Sequence, residues 1–194
     1  MSNSYTNHLK RVFDFFLSVL LLFVLFLPMI FISFMITALS PGKALYWSQR
    51  AGRNDSFFWM PKFRTMHVDT PVVATHLLSN IDENLTKIGR FLRKTSLDEL
   101  PQLYSILKGD MSFVGPRPAL FNQDDLISLR KDCGVNKLLP GLTGWAQVNG
   151  RDNISIKRKV DFDAEYLHRQ SFTFDIKIIL ITFLNSFKGK DISH

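Results

Sequence analysis

Residues 15–39 read FFLSVLLLFVLFLPMIFISFMITAL, 25 residues without a charge between Asp14 and Lys43. As a helix this run is about 38 Å long, against a bilayer hydrocarbon core of roughly 30 Å. It exceeds the apolar stretch of about 7–15 residues in a cleaved signal peptide. Its uniform apolarity does not suit a helix with one wet face. The segment belongs in lipid, and every fold for this chain must accommodate it.

Two topologies fit. Pro28 is fourteenth of the 25 residues, and a proline there removes a helical hydrogen bond and clashes one turn back. Lys10 and Arg11 precede the run, and Lys43, Arg50 and Arg53 follow it. Positive residues mark the cytoplasmic side, and here they lie on both flanks. A re-entrant helix broken at Pro28 satisfies both facts. A kinked span is the plainer alternative, because spanning helices tolerate proline.

Beyond residue 42 the pattern is that of a water-soluble domain. Aromatic-rich runs at 44–49 and 56–63 flank Gly52-Arg53-Asn54-Asp55 and predict a β-hairpin. Residues 84–93 are expected to be helical, and residues 69–78 have no clear period. Leu100, Leu103, Tyr104 and Leu107 follow i, i+3, i+4, i+7, a helix closed by Gly109. A short strand is expected at 110–114, a helix at 124–132, a loop at 139–150 and a charged helix at 154–170. Residues 174–187 are apolar but too short to span, as in an interfacial or docked helix. The expected fold is α+β, mostly helical, with short hairpin elements. Residues 1–42 form the membrane helix and residues 43–194 a cytosolic domain docked on the membrane face.

Charge narrows the chemistry. Lys and Arg number 24 against 17 Asp and Glu, a net +7. Such a balance favours phosphates or an anionic membrane face. Cys133 is the one cysteine and forms no internal bridge. The phosphate-loop and dinucleotide fingerprints are missing, as is H-E-x-x-H spacing. Basic residues do not alternate with aromatics as on a single-strand nucleic-acid platform, so no nucleic-acid partner is expected.

The acidic candidates are Asp98 and Glu99. Ser96-Leu97-Asp98-Glu99 matches a helix capping box. In the alternative register Asp98 is the N-cap and Pro101 falls at the third helical position, where its missing N–H costs nothing. Both carboxylates then sit at the positive helix end beside Arg93 and Lys94 and stay ionised. That suits attack on an electrophile or holding a divalent cation; simple capping is the competing reading. Lys62, Arg64, Arg93, Arg117 and Arg151 are candidate phosphate ligands. Arg117 is held stiffly between Pro116 and Pro118.

Six blocks carry a family resemblance. They are Lys10-Arg11-Val12-Phe13-Asp14, Gln49-Arg50-Ala51-Gly52, Lys62-Phe63-Arg64-Thr65-Met66, residues 93–102 (RKTSLDELPQ), residues 109–118 (GDMSFVGPRP) and residues 140–148 (PGLTGWAQV). Together they resemble the monotopic phosphoglycosyl transferases, the bacterial sugar transferase family, in its small catalytic-core form. The resemblance implies transfer of a sugar-1-phosphate from a UDP-sugar to polyprenyl phosphate, usually undecaprenyl phosphate, with release of UMP. This is the first membrane step of bacterial glycoconjugate assembly, on the cytoplasmic face of the inner membrane. It implies Mg²⁺, Asp98 as a nucleophile that carries the phosphosugar covalently, and Glu99 as its partner at the metal. It also favours the re-entrant topology. A non-catalytic tether binding anionic lipid is the alternative, but it has no use for adjacent carboxylates at a helix start. Neither the sugar nor the oligomeric state is encoded in a pattern of this kind.

Overall fold

The computed structural model describes residues 4–71, 81–150 and 154–188. The first element, α1, runs from Ser4 to Leu39 as one 36-residue helix. The expected break at Pro28 does not interrupt it; the helix continues through the proline. Packing explains the continuity. Lys10, Asp14, Ser18, Leu21, Leu25, Met29, Ile32, Ile36 and then Ser40 recur at three- and four-residue spacings and are at least partly buried. Leu17, Leu21 and Leu25 lie against one core cluster, and Met29, Ile32 and Ile36 against another. The stripe therefore rests on the domain on both sides of the proline. That contact offsets the roughly 3 kcal/mol a helical proline costs. The opposite face is open, with Phe23 83% and Leu27 74% exposed.

The hairpin forms where expected. Strands β1 (Leu45–Ala51) and β2 (Phe57–Phe63) pair antiparallel, Gln49 opposite Trp59 and Ala51 opposite Phe57. Asn54 and Asp55 take positive φ in the turn, residue types that tolerate it. Alternation sends Phe58, Met60 and Lys62 to the inner face with Ser48 and Arg50, and leaves Phe57 and Trp59 outside.

The expected helix over 84–93 divides into α2 (Ile81–Asn84) and α3 (Lys87–Lys94). Thr86 separates them and caps α3, its hydroxyl accepting from Gly89 N at 2.9 Å. Gly89 is required, since a Cβ there would stand 1.9 Å from the carbonyl oxygen of Thr65. After a 3₁₀ turn at Leu97–Glu99, helix α4 spans Gln102–Lys108 and closes at Gly109 with φ +100°. Strand β3 (Ser112–Val114) pairs parallel with β4 (Gly141–Thr143), a strand within the stretch read as loop. Gly141 allows that contact, because a Cβ would lie 2.1 Å from Gly115 N.

Helices α5 (Asp124–Asp132), α6 (Trp145–Val148), α7 (Ile156–Arg169) and α8 (Phe172–Lys188) complete the chain. The main core joins Phe58, Met60, Leu103, Ile106, Met111, Phe113, Tyr166, Phe174 and Ile178. The C-terminal helix is docked through Phe174 and Ile178, while Leu180, Phe183 and Leu184 remain exposed. Helix α1 is locked in at its start: Asp14 accepts from Phe113 N, Lys10 pairs with Asp175, and Arg11 donates to the carbonyls of Ile106 and Leu107.

Candidate active site

The carboxylate pair lies on the turn between α3 and α4. Helix α3 ends at Lys94, and Ser96 takes a left-handed conformation, φ +55°. That reversal starts the 3₁₀ turn containing Asp98 and Glu99. Neither register read from the sequence forms. Ser96 makes no side-chain cap, and α4 begins at Gln102 with Pro101 just before it. Pro101 is the N-cap of α4, three positions earlier than expected, where a missing N–H breaks no helical hydrogen bond. The Asp98 side chain is therefore not consumed by the local backbone.

The two carboxylates have different surroundings. Glu99 Oε1 accepts from Lys62 Nζ at 2.9 Å and from Arg117 Nη2 at 3.2 Å. Asp98 is 8% exposed and accepts no hydrogen bond from any described residue. Burial, more than any neighbour, pushes its pKa up; Lys62, Arg93 and Arg117 pull it down and Glu99 raises it. The expectation that a helix end keeps Asp98 readily ionised is thus corrected: desolvation dominates, and the cations work against it.

Four cations face this pair. Lys62 comes from β2, with its pKa lowered by burial. Arg93, in the last turn of α3, donates its Nε to Thr65 Oγ1 at 3.0 Å and is likewise lowered by burial. Arg117 comes from the loop after β3, between Pro116 and Pro118. The fourth, Arg50, was not singled out from the sequence, although it stands in one of the quoted blocks. It lies on the inner face of β1 and donates to Ser48 Oγ and to the Pro118 carbonyl. Burial, then Arg117, brings its pKa down to about 10. The strand alternation that puts Lys62 inside also puts its partner across the ladder, Tyr46, on the same face as Arg50, four residues further along β1. Among the described residues, four cations against two carboxylates make a net positive, partly desolvated cluster, suited to an anion.

Arg64 does not join it. Its guanidinium is buried and donates to the carbonyls of Ser40 and Pro41, holding the end of α1. The four C-terminal carbonyls of a helix lack internal partners, and Arg64 supplies donors there. Its assignment to phosphate is corrected on that ground. Arg151 lies outside the described residues. Trp145, in the same stretch, donates to Glu165 and packs on Phe174, a structural placement.

The donor set suits a divalent cation of one kind. Among the described residues no three His, Cys, Asp or Glu side chains gather. Among the described residues, Lys62 and Arg117 donate to Glu99, and none donates a hydrogen bond to Asp98. A dedicated protein cage is thus absent from these residues. Mg²⁺, held through one or two carboxylates plus substrate phosphates, fits such a pair.

The chain is similar in sequence to known proteins. The family described as Bacterial sugar transferase matches residues 5–189. The chain is 40% identical over 175 residues to the uncharacterized sugar transferase EpsL of Bacillus subtilis, covering 90% of this chain and 85% of that protein. It is 38% identical to the undecaprenyl-phosphate galactose phosphotransferase of Salmonella typhimurium, over 91% of this chain and 40% of that one. It is also 38% identical to the UDP-glucose:undecaprenyl-phosphate glucose-1-phosphate transferase of Escherichia coli, over 94% of this chain and 41% of that one. The chain thus spans about two-fifths of the length of the latter two.

Proposed function

Because the chain belongs to the bacterial sugar transferase family, we propose that it transfers a sugar-1-phosphate from a UDP-sugar to undecaprenyl phosphate and releases UMP. One observation carries the reading: Asp98 is buried, accepts no hydrogen bond from a described residue, and stands in the field of Lys62, Arg93 and Arg117.

In the first step an Asp98 oxygen attacks the sugar-bearing phosphorus of the donor. A carboxylate O–P bond forms, the bridging P–O bond breaks, and UMP leaves with the electron pair. In the second, an oxygen of undecaprenyl phosphate attacks the same phosphorus. The Asp98 O–P bond breaks, the carboxylate is regenerated, and the sugar ends on a polyprenyl diphosphate. An anion attacking an anion needs charge neutralisation, which Arg117, Arg93, Lys62 and Arg50 supply in a site of low polarity. Glu99 spaces Lys62 and Arg117 by holding both. Asp98 and Glu99 would hold Mg²⁺, which when bound supplies further positive charge to the phosphates.

The exposed apolar face of α1 lies in the membrane, with both ends of the helix on the cytoplasmic side. The support is that Lys10, Arg11 and Asp14 at one end, and Ile36, Ser40 and Pro41 at the other, all contact the same domain. A helix crossing the bilayer would leave parts of that domain on opposite sides. The lipid acceptor then meets the site at the membrane face.

The test is UMP release by the membrane-reconstituted chain with undecaprenyl phosphate, Mg²⁺ and a panel of UDP-sugars. UMP formed only when acceptor and donor are both present, or in a single-turnover burst with donor alone, supports the reading. No release with any donor defeats it.

A further inference from the structure

The loop carrying Arg117 cannot fix itself. Pro116 and Pro118 have no N–H to donate within it. Instead its carbonyls are gripped from outside, four in succession. Pro116 O accepts from Gly141 N at 2.9 Å, and Ala119 O from Ala51 N at 2.9 Å. Pro118 O accepts from Arg50 Nη1 at 3.3 Å. Arg117 O, the carbonyl of the site residue itself, accepts from Arg130 Nη1 at 2.8 Å.

Arg130 stands on α5 and Asp163 on α7, helices that contribute no residue to the carboxylate site. The Arg130 Nε and Nη2 both donate to Asp163 Oδ2, at 2.9 and 2.7 Å. Asp163 is 1% exposed and Arg130 9%. A buried ion pair is poor value as a stabiliser, because apolar residues of like volume often serve as well or better. What the pair does that leucine and methionine cannot is aim a third, charged N–H at one chosen carbonyl. The planar fork makes this possible: two nitrogens are fixed on the carboxylate, so the direction of the third is set. The line then continues through the residue, since Arg117 Nη2 meets Glu99 Oε1 at 3.2 Å.

We propose that Arg130 and Asp163 are positioning residues for Arg117, fixing the main chain of its loop so that the guanidinium stands where the donor's phosphates arrive. This rests on the reading of Arg117 as a phosphate ligand. The loop is already rigid in φ through its prolines, and the buried pair fixes where that rigid piece sits. The α5–α7 pair thereby becomes part of the site's geometry without touching a substrate.

The test measures binding of inorganic pyrophosphate by calorimetry, and donor kcat/KM where turnover is present. The variants are Arg117→Ala, the double variant Arg130→Met/Asp163→Leu, and all three substitutions together. Arg117→Ala is expected to weaken pyrophosphate binding, and the double variant to weaken it by about tenfold, within the range that a small misplacement of a positioned group costs. The decisive result is non-additivity: in the Arg117→Ala background the double variant should cost nothing further. Should the apolar pair fail to fold, Arg130→Lys keeps the charge but loses the fork, and the same non-additivity is expected. A folded double or Arg130→Lys variant that binds pyrophosphate like the natural chain overturns the proposal. So does a loss that multiplies with that of Arg117→Ala. If the natural chain does not bind pyrophosphate, or Arg117→Ala leaves binding unchanged, the phosphate reading of Arg117 itself falls, and the positioning role falls with it.

Discussion

Asp98 and Glu99 are neighbours in one tight turn, yet Lys62 and Arg117 donate to Glu99 and no described residue donates a hydrogen bond to Asp98. The asymmetry divides the labour. Glu99 Oε1 accepts from both Lys62 and Arg117. Asp98 is left desolvated, with its pKa raised by burial.

Asp98→Asn should lower turnover by a factor on the order of 10⁴ or more, as loss of a covalent nucleophile does, and should stop a labelled phosphosugar from being trapped on the protein. The variant should also melt higher than the natural chain at neutral pH. Burial raises the folded pKa of Asp98, so its protonated form favours folding and ionisation opposes it. The gap should therefore close as pH falls below the ordinary carboxylate value of about 3.9 and open as pH rises through the raised folded value. Melting curves across pH check the sign; a variant that melts lower throughout would remove the desolvated carboxylate from the account. Added Mg²⁺ should stabilise the natural chain more than the variant.

Lys62→Met removes the strongest influence lowering the Asp98 pKa. The acid limb of the pH–rate profile should move to higher pH. Neutral-pH turnover should fall as well, because the reacting phosphates lose a cation. Stability should drop by less than the roughly 3–5 kcal/mol of a fully broken buried pair, because Arg117 still holds Glu99. A profile that does not shift would show that Lys62 acts on Glu99 alone.

Arg64→Met tests the correction to its role. Leaving the Ser40 and Pro41 carbonyls without these donors should cost about 1–3 kcal/mol of stability. The donor KM should stay unchanged. A raised KM with unaltered melting would return Arg64 to the phosphates.

Topology can be read with single cysteines. With Cys133→Ser as background, His8→Cys and Lys43→Cys flank the apolar run. Both should react with a membrane-impermeant maleimide added from the cytoplasmic side only. Labelling of one position from each side would make α1 a span.

The sequence made the elements legible and the site partly so. The hairpin, α4, α5, α7 and α8 follow from periodicity and turn residues, which are local. The short parallel pairing of β3 with β4 was hidden, because three residues carry no period and the partner is 29 positions away in register, Ser112 opposite Gly141. Asp98 and Glu99 stand out because adjacent carboxylates have few structural uses. Arg64 and Arg50 show where such reading fails. Both are arginines within quoted blocks, and only tertiary packing sends one to a helix end and the other into the anion pocket. The continuity of α1 through Pro28 has the same origin: proline's local cost is visible in sequence, while the contacts that outweigh it come from residues 58–106 and beyond.

The inner stripe of α1 also bears on how the protein is made. Leu21, Leu25, Met29 and Ile36 are walls of the domain's interior as much as parts of the apolar helix. This helix leaves the ribosome before any strand of the domain exists, so its open face can settle into the bilayer first and offer the stripe as a template on which the later helices condense. A fragment cut at residue 43 to gain solubility would then be a domain with one wall missing, prone to aggregate instead of working as a smaller enzyme.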